Sequence, residues 1–186
     1  MNVTFVSKAK YEIVGFIRDR LSKDDFVYIF SACALPIHIW GILNLFIDIP
    51  SWLYYYDFIE LIGGVAYTLV FSLVETLFVF IGVVTLRLLL PKRWAADWFV
   101  SFSILMVLEL TITALLFQYF TVQGLYYKTE LLLASVVSIG LTAFLISKFD
   151  RLNHYVRSIA RYFTILAYVY IFFDVVGLLI VIMRNL

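Results

Sequence analysis

The chain has 186 residues, 64% of them hydrophobic, a mean hydropathy of +1.00 and only 15% charged side chains. Soluble domains are nearer about 45–50% apolar and about 25% charged, so a water-facing surface would lack polar groups to cover it, and much of the solvent must be lipid. Fourteen basic against thirteen acidic residues leave a net charge of +1, which excludes the broad basic field of a nucleic-acid binder; no nucleic-acid partner is expected.

The first predicted element is amphipathic. Val6, Ala9, Ile13, Phe16, Ile17 and Leu21 recur at helical spacing, with Lys8, Lys10, Arg18 and Lys23 among the intervening positions. Residues 1–25 are therefore expected to form a helix lying on the cytoplasmic leaflet, its basic groups near anionic headgroups; a docking helix for a cytoplasmic partner is the alternative. No short apolar core with a cleavage site follows the basic region, so it is not read as a signal peptide. Ser22-Lys23-Asp24-Asp25 then offers cap residues for the first long helix.

Five apolar stretches follow, at residues 26–47, 61–86, 98–120, 131–147 and 162–183. Crossing about 30 Å of hydrocarbon takes about 20 residues of helix, and the fourth stretch is the shortest. The runs are continuous, without the alternation of a barrel strand. The expected fold is an all-α, polytopic membrane bundle of five transmembrane helices. Pro36 lies inside the first span, where it removes a hydrogen bond and predicts a kink. Pro50 and Pro91 read as stops.

The intervening segments fix an expected orientation. Lys8, Lys10, Arg18, Arg20 and Lys23 precede the first span; Arg87, Lys92 and Arg93 follow the second; Lys148, Arg151, Arg157 and Arg161 follow the fourth. The alternate segments hold only Lys128 and Arg184. Excess Lys and Arg marks cytoplasmic loops, which puts the N-terminus in the cytoplasm and the C-terminus outside. Trp52, Tyr54, Tyr55, Tyr56, Tyr119, Tyr126 and Tyr127 collect on the outer side, and Trp94 and Trp98 on the inner. They read as interfacial belts, or on the outer side as a surface for a carbohydrate or lipid headgroup.

Three carboxyls stand out. Glu75, Glu109 and Asp174 lie near the middles of the second, third and fifth spans. An ionised group at the bilayer centre costs about 2.5–3.5 kcal/mol on insertion scales. The three are expected to share a depth, face the bundle interior, and hold at least one proton between them, since no basic residue is evident beside them. Supporting polar residues are Ser72, Thr113, Ser135, Ser138, Thr142 and Tyr170, whose hydroxyls could donate to a carboxylate. Asn44 and Asp48 share a face of the first span with Gly41; His38 lies off that face beside Pro36, and a hydrogen-bonded packing role fits it better than a ligand role. Cys33 is the only cysteine, which rules out an intramolecular disulfide, CxxC chemistry and thiolate clusters. No HExxH, GxSxG, Walker or GxGxxG motif occurs, so no catalytic residue, metal site or cofactor is assigned. The first expectation is a scaffold or accessory subunit of a larger membrane complex, or a homo-oligomer, with the bilayer as constant partner. A small cation- or proton-coupled transporter or channel is the second, and an enzyme for a lipid-linked substrate the third.

Overall fold

A computed structural model describes residues 20–91, 96–124 and 127–186. Five helices occupy them: α1 Lys23–Tyr55, α2 Phe58–Leu89, α3 Ala96–Val122, α4 Lys128–Lys148 and α5 Asp150–Asn185. All five are long and apolar enough to cross a membrane. Even α4, with 21 residues, extends about 32 Å at 1.5 Å per residue, against about 30 Å of hydrocarbon. The expected interfacial helix falls mainly on residues before 20, outside the described residues, as do Lys92, Arg93, Trp94 and Tyr126.

The helix boundaries have local causes. Ser22 caps α1: its hydroxyl accepts the Asp25 N–H at 3.2 Å, and the Asp25 carboxylate accepts the Ser22 N–H at 2.9 Å. Asp57 and Glu60 repeat the device at the start of α2. Pro50 does not stop the first helix, contrary to the sequence expectation; α1 runs through it to Tyr55. A proline deletes one hydrogen bond, whereas the Asp57–Glu60 box two residues beyond Tyr55 fixes where the chain turns. Pro91 does follow the end of α2. There the Arg20 guanidinium donates to the carbonyls of Leu88 at 2.6 Å and Leu90 at 2.8 Å, satisfying acceptors that a helix end leaves open. The expected loop before the fifth span is also corrected. Only Phe149 separates α4 from α5, and Arg151, Arg157 and Arg161 are helical.

Successive helices run antiparallel. α1 is central and packs on α2, α3 and α5; α5 also packs on α2; α4 lies outside, mainly against α3. The core is gathered at one end of the bundle. It joins Ile29 and Cys33 of α1, Val83 of α2, Phe99, Val100, Ile104 and Val107 of α3, and Val156 and Ala160 of α5. Ala32, Cys33 and Ala34 are all buried, and short side chains let α1 approach its neighbours closely. Arg157 ties this end together by pairing with Asp25 of α1 and Asp97 of α3. The same end carries Arg20, Lys23, Arg87, Lys148 and Arg151, while Lys128 and Arg184 lie at the other. Grooves open at mid-span and at that other end.

Candidate functional site

The expectation that Glu75, Glu109 and Asp174 share one interior environment is corrected: each has different surroundings. Asp174 is the interior one. It is 1% exposed and faces His38, also 1% exposed, with Nε2 at 3.1 and 3.0 Å from its two carboxylate oxygens. Hydropathy and spacing leave Asp174 without a basic neighbour and His38 off the polar face of its span; the structure pairs the two. Helical phase sets His38 about 60° from Gly41 and about 120° from Asn44 around α1, and the His38 side meets α5. Tyr170, one turn before Asp174, stacks on the imidazole with centroids 4.7 Å apart and planes 14° from parallel.

Nδ1 of His38 lies 2.9 Å from the Ala34 carbonyl, which can only accept, so that nitrogen is placed to donate there. Nε2 is left to face the Asp174 carboxyl. The sealed pair joins α1 to α5, each residue giving the other a hydrogen-bond partner in the interior.

Glu109 is half-buried. One carboxylate oxygen accepts from the Thr142 hydroxyl of α4; the other is buried without a hydrogen-bond partner. This is the polar link between α3 and the peripheral α4. The remaining hydroxyls expected to serve carboxylates mostly bond within their own helices. Thr113 donates to the Glu109 backbone carbonyl at 2.9 Å and Ser135 to that of Leu132 at 2.8 Å. Ser138 is exposed on α4, so the polar stripe of that helix does not all face inward.

Glu75 is the outward one. It sits halfway along α2, exposed, with no hydrogen-bond or ion-pair partner among the described residues. Two grooves of about 390 Å³ each meet at it. One runs between α1 and α3, past Pro36, Leu43, Leu108, Thr111 and Leu115. The other follows the α1–α2 seam, past Gly41, Asn44, Thr68, Phe71 and Ser72. Ile37, Trp40 and Glu75 line both. Ser72 is buried against Gly41, where a Cβ would stand 2.5 Å from the Ser72 hydroxyl oxygen. Asn44 thus lies on a groove, whereas Asp48 is exposed near the helix end, its backbone carbonyl accepting from Ser51 at 2.8 Å. The groove walls Trp40, Leu108 and Leu115 were not singled out from sequence, because an apolar residue in a continuous apolar run carries no mark of what it faces. Among the described residues no cluster of three or more His, Cys, Asp or Glu side chains could hold a metal ion.

No protein-family model, curated protein or solved structure matches this chain.

Proposed function

We propose that this chain is a polytopic integral membrane protein, its N-terminus cytoplasmic and its C-terminus outside, and that it acts as an accessory subunit. Its groove around Glu75 receives a transmembrane helix of a partner. The observation that carries this reading is Glu75 itself: a carboxyl at the middle of a membrane-length helix, where two open grooves meet, with no hydrogen-bond or ion-pair partner among the described residues. In hydrocarbon such a group costs about 2.5–3.5 kcal/mol, a cost removed by a partner side chain that donates a hydrogen bond or brings a positive charge at the same depth. The other two carboxyls support it by contrast, since Asp174 is paired with His38 and one oxygen of Glu109 with Thr142 within the chain. A proton or cation pathway has less support, because the Asp174–His38 pair is closed off at 1% exposure.

The test is co-purification in a mild detergent. Glu75→Leu is expected to release the partner while the isolated chain keeps its helical content and elution volume, and Glu75→Gln to retain part of it. Full retention by Glu75→Leu would sink the proposal.

A further inference from the structure

At the end away from the core, Arg184 in the last turn of α5 reaches across to α2 and packs on Gly63; a Cβ there would run into its guanidinium. Gly64 plays the same part for Trp52, whose ring would stand 2.8 Å from an added Cβ. Two adjacent glycines thus let a cation and an indole lie against one helix. Between them is a groove of about 300 Å³ lined by Trp52, Tyr56, Glu60, Gly64, Tyr67 and Arg184. Asn185 donates to the Tyr67 hydroxyl at 2.7 Å and holds the end of α5 over the groove.

The charges are arranged but incomplete. Glu60 and Arg184 line one groove yet form no ion pair with each other. One Glu60 oxygen accepts the Asp57 N–H at 3.3 Å, and Arg184 has no hydrogen-bond or ion-pair partner among the described residues. A separated carboxylate and guanidinium complement a molecule carrying the opposite charges at the same separation. The planar fork of a guanidinium suits a pair of phosphate oxygens, and carboxylate with aromatic faces suits an ammonium. Both charges sit in terminal turns of membrane-length helices, the level of headgroups once the integral-membrane reading is accepted, on which this inference rests.

We infer that this groove binds a zwitterionic phospholipid headgroup, its phosphate on Arg184 and its amine on Glu60 among Trp52, Tyr56 and Tyr67. Calorimetric titration of the purified chain in an uncharged maltoside micelle tests it. The probes are dihexanoyl phosphatidylethanolamine, dihexanoyl phosphatidylglycerol, which lacks the amine, and free phosphoethanolamine, which lacks the tails. The ethanolamine lipid is expected to bind best. Glu60→Gln and Arg184→Gln should each weaken it about tenfold, the factor lost with one charge-assisted hydrogen bond, and Glu60→Gln should leave the glycerol lipid unchanged. Gly63→Ala, which displaces only the far end of a flexible side chain, should reproduce the Arg184 effect in a folded protein. Equal binding of the two lipids, or indifference to Glu60→Gln, would overturn the assignment. So would free phosphoethanolamine binding as tightly as the lipid, which would make the ligand a soluble zwitterion. The measurement needs no partner protein, so its failure is separate from failure at Glu75.

Discussion

Replacing Asp174 with leucine removes one half of the sealed pair between α1 and α5. His38 Nε2 then loses its partner at 3.0 Å in a site 1% exposed. Breaking a buried pair by deleting one partner costs about 3–5 kcal/mol, whereas exchanging both for apolar groups is often close to neutral. Asp174→Leu and His38→Leu are each expected to lose about 3 kcal/mol, and the double substitution to lose less than either one alone. Interhelical hydrogen bonds in a membrane protein average only about 0.6 kcal/mol and reach about 1.7, so a coupling above that ceiling marks this pair as stronger than an ordinary interhelical hydrogen bond. Asp174→Asn can still donate to Nε2 of a neutral imidazole and is expected within about 1 kcal/mol of the parent. The assay is equilibrium unfolding of the four cycle members in mixed SDS micelles, followed by circular dichroism. Additivity within about 0.5 kcal/mol would refute the reasoning, because the two residues would then be energetically independent.

Three further outcomes are expected. Gly41→Leu should push α1 from α2 at Ser72 and cost about 1–3 kcal/mol in the same unfolding assay, while Gly82→Leu, with nothing within 4 Å of an added Cβ, should be tolerated. Thr142→Val leaves both Glu109 oxygens without a donor, and should loosen α4 from α3 by about 1 kcal/mol, read as faster protease cleavage near residues 123–127 with little change in global unfolding. Reporter fusions after Asn185 should be active on the outside of the membrane and fusions after Lys148 in the cytoplasm; a cytoplasmic signal after Asn185 would break the orientation argument.

Hydropathy makes the five long helices legible because each contains a continuous apolar run, whatever it packs against. It loses the first three turns of α5, where Arg151, Arg157 and Arg161 lower the hydropathy of a segment that is helical all the same. Arg157 in particular reads as an orientation signal, yet it bridges Asp25 and Asp97. The carboxyls were legible as unusual, but not their surroundings. A single helix reveals depth and face, whereas a partner 136 positions away depends on which face each neighbour meets. The small residues flanking His38 on its own side, Ser31 and Ala34, and Ala167 and Gly177 around Asp174, were the available hint that these faces approach closely. Glu75 lies on the stripe of Gly64, Thr68 and Ser72, yet Ser72 is buried and Glu75 is exposed, since α1 covers that stripe only as far as the groove.

The central claim is that a partner helix occupies the groove at Glu75, and photo-crosslinking in intact membranes addresses it most directly. A photoreactive phenylalanine at Leu43 or Leu115, on the groove walls, is expected to give one discrete protein adduct. The same probe at Leu133, exposed on α4, should give none, and Glu75→Leu should abolish the adduct. The adduct's mass distinguishes a second copy of this chain from another subunit. Groove positions that capture only lipid, or capture protein no better than Leu133 does, would contradict the account.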